Sequence, residues 1–102
     1  MKIDVGNTYY EVKTTSRFNK ELKKLYKQHK DINKLIEVVE TLANGEELSE
    51  KYKNHKLIND KTFKECYECH IQPDWLLVYK VQNNELVLLL FATGSHSDLF
   101  NK

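Results

Sequence analysis

Residues 64–92 read KECYECHIQPDWLLVYKVQNNELVLLLFA. Three segments of this stretch, 64–71, 75–82 and 85–92, are rich in the aromatic and branched apolar residues that favour β-strands. The residues between them, Gln72-Pro73-Asp74 and Asn83-Asn84, are typical of turns. The sequence therefore predicts an antiparallel meander of three strands. Because its last segment is apolar on both faces, we expect that strand in the interior of the sheet.

Upstream of these strands, apolar residues recur at helical spacing. A first helix is predicted after Ser16, a residue suited to the N-cap, and a second is predicted to begin after Asp31 and to end near residues 44–45. Because the link between them is short, we expect the two helices to pack antiparallel. Residues 9–13 predict a short first strand, and the polar residues 46–61 predict a loop.

The composition is that of a globular protein with one core. The chain has 102 residues, of which 40% are hydrophobic and 30% charged. We predict a single α+β domain over residues 1–102, with an N-terminal antiparallel helical hairpin packed on a small antiparallel β-sheet and a short C-terminal turn or helix. No apolar run approaches the roughly 20 residues of a membrane helix, and the first residues lack the apolar core of a secretion signal, so we expect a cytoplasmic protein without membrane contact.

Charge is distributed unevenly, although the net charge is only +1. Residues 13–34 contain eight basic and two acidic residues, whereas residues 35–50 contain five glutamates and no basic residue. Four lysines lie between the apolar positions of the first predicted helix: Lys20, Lys23, Lys24 and Lys27. Such a face favours a polyanion such as RNA, although a solvated helix surface explains it equally well.

The hairpins predict a cluster of polar side chains at one edge of the sheet. His70 and Asp74 flank the predicted tip at Pro73. Pairing through the Asn83-Asn84 turn would bring Asp74 beside Thr93, and His96 follows a few residues later. Since cross-strand neighbours lie about 5 Å apart, we expect these side chains to converge.

Histidine suits the chemistry of RNA cleavage, in which the 2′-hydroxyl attacks the phosphorus. Imidazole can remove one proton and deliver another near neutral pH, and a carboxylate such as that of Asp74 can orient it. We expect His55, in the preceding loop, to join the cluster. The residues alone leave two alternatives open, a zinc site and unrelated surface histidines.

Residues 66–70, Cys66-Tyr67-Glu68-Cys69-His70, match the C-x-x-C-H pattern of haem attachment. Attachment of that kind implies export, for which the sequence has no signal segment. Strand alternation also places Cys66 and Cys69 on opposite faces, which disfavours joint metal ligation. We therefore interpret both cysteines as small buried strand residues.

Two aromatic residues lie beside the predicted cluster. Trp75 is either a core residue, the commoner role for tryptophan in a strand, or a platform on which an RNA base stacks. Phe100, close to the C-terminus, must dock on the domain or be exposed, and docking near His96 would let it contact a base.

Three ordered motifs resemble the YafQ branch of RelE-type bacterial toxins. They are NHKL at residues 54–57, CHIQPDWLLVY at 69–79 and TGSHSDLF at 93–100, and the resemblance spans about residues 16–100. It implies a ribosome-dependent mRNA interferase of a type II toxin–antitoxin pair, which needs no metal or other cofactor. The implied partners are a cognate antitoxin, held in a possible hetero-oligomer, and the 70S ribosome with its mRNA.

Carried over residue by residue, the functional positions of that family fall on His55, His70, Asp74, Trp75, His96 and Phe100. The resemblance implies His96 as general acid, Asp74 or His55 as general base and His70 as the group that positions the phosphate. RNA contacts are expected from two aromatics and five lysines: Trp75, Phe100, Lys56, Lys20, Lys23, Lys24 and Lys27.

The chain departs from the family at two positions. Relatives commonly have arginines where this chain has Tyr67 and Ala92, so an arginine clamp on the scissile phosphate is missing. Lys56 or Lys64 would replace it only as a point charge. The runner-up hypothesis is therefore a weak or inactive toxin-family binding protein that is held by its antitoxin or acts on another target such as gyrase.

Overall fold

The computed structural model describes residues 8–100. In chain order its elements are β1 (Glu11–Thr14), α1 (Ser16–Lys27), α2 (Ile32–Ala43), β2 (His55–Lys56), β3 (Tyr67–Gln72), β4 (Trp75–Gln82), β5 (Val87–Gly94) and α3 (His96–Phe100). Short 3-10 turns cover Glu50–Tyr52 and Asn83–Glu85. The predicted α+β fold is confirmed, with a helical hairpin, a small sheet and a short C-terminal helix.

The five strands form one sheet in the order β1-β5-β4-β3-β2. The meander β3–β4–β5 is antiparallel as predicted, and β2 adds to it antiparallel to β3. At the other edge, β1 pairs with β5 in parallel, so the sheet as a whole is mixed. Because most of the domain separates β1 from β5 in the chain, no tight hairpin forces them into the antiparallel direction.

The cap of α1 differs by one residue from the prediction. Thr15, and not Ser16, is the N-cap, because its Oγ1 accepts a hydrogen bond from the backbone N–H of Phe18 at 3.0 Å. The predicted cap of α2 is confirmed, since the carboxylate of Asp31 accepts from the N–H of Asn33 at 3.1 Å. Both caps satisfy a backbone donor that the first turn of a helix leaves without a partner.

Each face of the sheet supports its own apolar core. The larger core contains the buried residues of α1 and α2 together with those of β3, β4 and β5 that face them. A second core lies on the opposite face and contains Phe63, Cys66, Leu76, Val78, Ala92 and Leu99. Cys69 belongs to the first core, so the two cysteines lie on opposite sides of the sheet as expected. Burial raises the pKa of the Cys69 thiol to about 12, which makes it an unreactive core residue.

The register between β4 and β5 differs from the prediction. The connection runs through the Asn83–Glu85 turn and Leu86, whose φ of 53° is left-handed, so Gln82 pairs with Val87. A β-bulge then shifts the pairing by one more residue, because Val78 pairs with Ala92 and Tyr79 with Leu90.

The two changes place Thr93 opposite Leu77, and not beside Asp74 as predicted. Two residues beyond the Leu76–Gly94 pair, Asp74 lies level with His96. The bulge thus contributes directly to the position of the candidate site.

The predicted loop 46–61 contains a two-residue strand, β2. It is too short to leave a periodic pattern in the sequence, yet it anchors His55 to the sheet, where it pairs with Glu68 of β3. Of the helices described within residues 8–100, none is long and apolar enough to cross a membrane.

Candidate active site

The candidate site begins at the β2–β3 pair, on the sheet face opposite the helical hairpin. Cross-strand pairing sets His55 beside Glu68, and the two-residue alternation of β3 puts His70 on the same face as Glu68. His55 is half-exposed, and its Nδ1 lies 2.9 Å from the carbonyl oxygen of Lys53. These three side chains form one edge of the site.

Glu68 is the residue that sequence reasoning missed. It is only 5% exposed, and its Oε1 lies 3.4 Å from Nε2 of His70 and 3.7 Å from Nε2 of His55. Carboxylates are seldom buried unless they are paired, and here Nε2 of His70 is the nearer of the two ring nitrogens beside Oε1. A usable signal was present in the sequence, since Glu68 stands two residues before a candidate histidine in the same predicted strand.

The second half of the site joins the β3–β4 turn to α3. Asp74 accepts a hydrogen bond at Oδ1 from the backbone N–H of His96 at 3.1 Å, and the same oxygen lies 2.9 Å from Nδ1 of the His96 ring. Hydrogen bonding from the His96 side chain, followed by that from its backbone, lowers the pKa of the Asp74 carboxyl. Asp74 is therefore a carboxylate at neutral pH.

The first turn of α3 is held by a reciprocal cap. The backbone N–H of Asp98 donates to Oγ of Ser95 at 3.1 Å, and the N–H of Ser95 donates to the carboxylate of Asp98 at 3.3 Å. His96 lies between these two residues, so the cap and Asp74 together fix the direction of its ring.

The two halves meet at His70 and His96, whose ring centroids are 5.6 Å apart. Among the described residues, Glu68, His70 and His96 each offer one ligand atom, and these atoms lie within 4.8 Å of one another. Two imidazoles and a carboxylate suit zinc or copper as well as proton transfer. The geometry therefore keeps both of the chemical alternatives that the histidines suggested.

The ring of Trp75 is not accessible from this cluster. It is 1% exposed, belongs to the helix-side core, and donates from Nε1 to Oγ1 of Thr93 at 3.0 Å. A base could stack on it only if the core opened, so the stacking expectation gives way to the core alternative. Phe100 docks on the domain, which was one of the two alternatives predicted for it. Its ring lies edge-on to that of Phe63 at a centroid distance of 5.6 Å.

The basic residues that were expected to bind RNA lie in two places. The four lysines of α1 are exposed and line a shallow groove together with Gln28: Lys20, Lys23, Lys24 and Lys27. Lys24 Nζ also lies 4.0 Å from the carboxylate of Asp98. Lys56 is exposed on β2 and forms an ion pair with Glu65 at 3.3 Å.

The two positions at which relatives commonly have arginine have other roles in this structure. Tyr67 stacks on Tyr79 at a centroid distance of 5.8 Å, and Ala92 is fully buried in the second core. The single arginine of the chain, Arg17, is held by Glu21 at 3.1 Å and lies over the ring of Phe63. Arg17 therefore has partners of its own.

Comparison with known proteins places this geometry in a family. Residues 10–101 match the family model described as the bacterial toxin of type II toxin–antitoxin system, YafQ. The chain is 33% identical over 90 residues to the mRNA interferase toxin YafQ of Escherichia coli strain K12, which covers 88% of this chain and 95% of that protein.

Solved structures agree with this match. The crystal structure of a metal-bound toxin from Helicobacter pylori superposes with a TM-score of 0.82 at 42% identity, covering 89% of this chain and 99% of the other. The E. coli DinJ–YafQ complex gives a TM-score of 0.79 at 34% identity, with 89% and 98% covered. The chain therefore belongs to the YafQ family of bacterial toxins of type II toxin–antitoxin systems.

Proposed function

We propose that this protein is an endoribonuclease toxin that cleaves mRNA on the ribosome and so inhibits translation. The observation that carries the proposal is the Asp74–His96 pair facing His70, with His55 on the neighbouring strand pair. Relatives named as mRNA interferases support the same activity. Cleavage would need no metal: the bond from the 2′-oxygen to phosphorus forms as the bond from phosphorus to the 5′-oxygen breaks, which leaves a 2′,3′-cyclic phosphate and a 5′-hydroxyl.

His55 is the better placed of the two candidate general bases. The Lys53 carbonyl can only accept a hydrogen bond, so in the neutral ring Nδ1 carries the hydrogen and Nε2 keeps its lone pair. That nitrogen can take the 2′-proton, and the ring is half-exposed to substrate. Asp74, the alternative base, is engaged by His96.

His96 is the proposed general acid. Because Asp74 faces Nδ1, the proton available to the leaving 5′-oxygen is the one on Nε2 of the protonated ring. His70 has an acceptor near each nitrogen, the Pro73 carbonyl at 3.3 Å and Glu68 at 3.4 Å. An imidazole between two acceptors is held in a fixed orientation, which suits the positioning role expected of it.

The partners follow from the same proposal. The exposed lysines of α1 would contact phosphates of ribosomal RNA or mRNA, and Phe100 would contact a base near the site. Relatives have been solved as the E. coli DinJ–YafQ toxin–antitoxin complex, and we propose that a cognate antitoxin binds this chain as well. Because ribosomes lie in the cytoplasm, we propose that the protein acts there.

The proposal is tested with purified toxin and ribosomes programmed with a defined mRNA. We expect one or a few cuts in the mRNA of the ribosomal decoding site, carrying cyclic phosphate ends, in a buffer that keeps the Mg²⁺ ribosomes need but is depleted of zinc and copper. His96→Ala should abolish them. The matched control is His29→Asn, which removes a histidine from the α1–α2 link while keeping a residue that tolerates its φ of 63°. Intact mRNA at high toxin concentration would rule the proposal out.

A non-enzymatic toxin-family protein is the alternative, and the absence of arginine at Tyr67 and Ala92 favours it. It predicts that the same preparation binds ribosomes, its antitoxin or another target such as gyrase without cutting mRNA. Efficient cleavage that depends on His96 would remove this alternative.

A second candidate function is metal binding by Glu68, His70 and His96. The donor set fits zinc or copper, and Helicobacter pylori relatives have been solved in metal-bound and copper-bound forms. An ion held there would occupy ring nitrogens that proton transfer requires, so we expect added Zn²⁺ or Cu²⁺ to inhibit cleavage. Activity that disappears on metal removal and is restored by zinc would instead make the metal part of the reaction.

A further inference from the structure

We infer that a basic pocket beside the candidate site binds the mRNA nucleotide on the 5′ side of the cut, an inference that rests on the proposed function. The pocket lies between α2, the Glu50–Tyr52 turn and the end of β3, and its rim carries Lys34, Lys51 and Lys53. His70 borders both this pocket and the histidine cluster. None of the positions carried over from the family falls on these three lysines.

Charge is the first argument. The three lysines are exposed, and a single carboxylate, that of Glu37, lines the same pocket. Within residues 8–100, the side chains of Lys34 and Lys53 form no ion pair and no hydrogen bond. The ammonium group of Lys51 lies 5.0 Å from the centroid of the Tyr52 ring. Ammonium groups without a carboxylate partner are available to the phosphate oxygens of a polyanion.

The size and the walls of the pocket fit a nucleotide. Its volume is about 390 Å³, which lies within the range of roughly 300–1,000 Å³ typical of small-ligand sites. Ile71 and Tyr52 belong to or pack against the helix-side core and form an apolar wall. The amide of Gln72 is half-exposed and has no hydrogen-bond partner in the part of the chain that the structure describes. It can therefore donate to and accept from the edge of an unpaired base.

Two irregularities of the backbone shape this pocket. A β-bulge falls in β3 between His70 and Gln72, and bulges change the direction of the side chains around them. Lys53 has a left-handed φ of 49°, which a lysine keeps only where its surroundings hold it. The carbonyl of Lys53 is also the group that lies 2.9 Å from Nδ1 of His55. One residue thus contributes a cation to the pocket and orients the proposed general base.

Shared residues join the basic pocket to the lysine groove of α1. Gln28 lines that groove and also a second cleft, which contains Lys30 and Asp74. The second cleft in turn shares Gln72 and Pro73 with the basic pocket. A single RNA strand can therefore follow one surface from the α1 groove, past the tip of the β3–β4 hairpin, into the basic pocket.

The proposed catalytic roles give this path a direction. His96, beside Asp74, donates a proton to the leaving 5′-oxygen, which belongs to the nucleotide on the 3′ side of the cut. His55 removes the 2′-proton of the nucleotide on the 5′ side. Since Lys53 adjoins His55 and lines the basic pocket with His70, the pocket takes the 5′ nucleotide.

The first test measures binding without ribosomes and requires no activity. The probe is a short single-stranded RNA in which 2′-deoxy nucleotides prevent cleavage. We expect the NMR signals of the Ile71 methyl groups and the Gln72 side-chain amide to shift as the probe is added. Lys34→Gln combined with Lys53→Asn should raise the dissociation constant roughly tenfold. Asparagine is chosen at position 53 because it tolerates a positive φ.

The matched control removes two lysines outside the pocket, by Lys13→Gln combined with Lys61→Gln, and should keep the dissociation constant within about twofold of the wild type. Inorganic phosphate is the second probe, and it should leave the Gln72 amide signal in place. Phosphate that shifts this signal as far as the RNA does would make the pocket a plain anion site. That result would overturn the inference, as would pocket signals that do not respond to RNA or an equal loss in both double variants.

Cleavage on programmed ribosomes provides a test of base contact. Gln72→Met keeps the length of the side chain but removes its hydrogen-bonding groups, so the preference for the base on the 5′ side of the cut should fall roughly tenfold. Gln82→Met, a half-exposed glutamine at the far end of β4, is the control and should keep the preference. An unchanged preference in Gln72→Met would contradict the assignment of the 5′ nucleotide. If the wild type cuts no mRNA, the proposed function fails, whereas the binding test still decides whether the pocket takes a nucleotide.

Discussion

Asp74 and His96 stand 22 residues apart in the chain, and one carboxylate oxygen of Asp74 contacts both the backbone N–H and the ring Nδ1 of His96, at 3.1 and 2.9 Å. Two contacts from one oxygen fix the ring plane as well as its position. Since Asp74 belongs to the β3–β4 turn and His96 to the start of α3, this pair closes the site across the end of the sheet.

Removing the charge of Asp74 should slow cleavage. Asp74→Asn keeps an oxygen that can accept from the His96 backbone but no longer provides a carboxylate opposite Nδ1. We expect the single-turnover rate to fall by roughly tenfold to a hundredfold, with ribosome binding retained. Glu85→Gln, an exposed change in the turn before β5, serves as the control, and an unchanged rate in Asp74→Asn would contradict the role assigned to the pair.

The Asp74–His96 bond should also be visible in an acid titration. Hydrogen bonds from His96 lower the pKa of Asp74 in the folded protein, so the carboxylate contributes stability above its ordinary pKa of about 3.9. That contribution disappears as the pH falls through the lowered folded pKa. We expect the carboxyl carbon NMR signal of Asp74 to titrate below the ordinary range and its midpoint to move upward in His96→Ala; equal midpoints in the two proteins would contradict this.

The α1 cap gives a stability test that separates two adjacent residues. Thr15→Ala removes the acceptor for the Phe18 N–H and the hydrogen bond that Thr15 donates to the Phe91 carbonyl, so we expect a loss of about 1–2 kcal/mol in the free energy of unfolding. Ser16→Ala should cost much less, because Ser16 lies inside the helix. Urea denaturation measures both, and a larger loss in Ser16→Ala would show that the cap is misassigned.

The burial of Trp75 can be read from its own fluorescence, since it is the only tryptophan in the chain. A ring that is 1% exposed should emit at short wavelength and resist quenching by iodide, and RNA should leave its emission unchanged. Quenching by a single-stranded oligonucleotide would instead restore the stacking role that the family resemblance implied.

The lysine groove on α1 should act through charge alone. Replacing Lys23 and Lys27 by Gln should weaken ribosome binding and reduce its dependence on salt by about one unit of slope for each phosphate that the variant no longer binds. The free energy of unfolding should stay nearly constant. A double change of Lys13 and Lys61, which lie outside the groove, is the matched control, and an equal effect from both pairs would show that the groove has no special part in binding.

Local sequence patterns were sufficient to predict much of the secondary structure of this protein. Apolar spacing predicted α1 and α2, and apolar runs separated by turn residues predicted the meander, because both kinds of element depend mainly on neighbours in the chain. The four polar residues of the candidate site were also predicted as a cluster. Their catalytic roles remain predictions.

Long-range packing decided the rest. The four-residue connection after Gln82 and the bulge between Val78 and Tyr79 bring Asp74 level with His96 and not with Thr93, as the sequence predicted. Neither feature has a periodic signature in the sequence. The parallel pairing of β1 with β5 joins segments that only the completed domain brings together. Glu68 reads as one more charged residue in the sequence, and it became significant because the sheet buries it between two histidines. Element type follows from interactions over a few residues, whereas register, burial and the meeting of side chains follow from contacts that form only when the whole chain is packed.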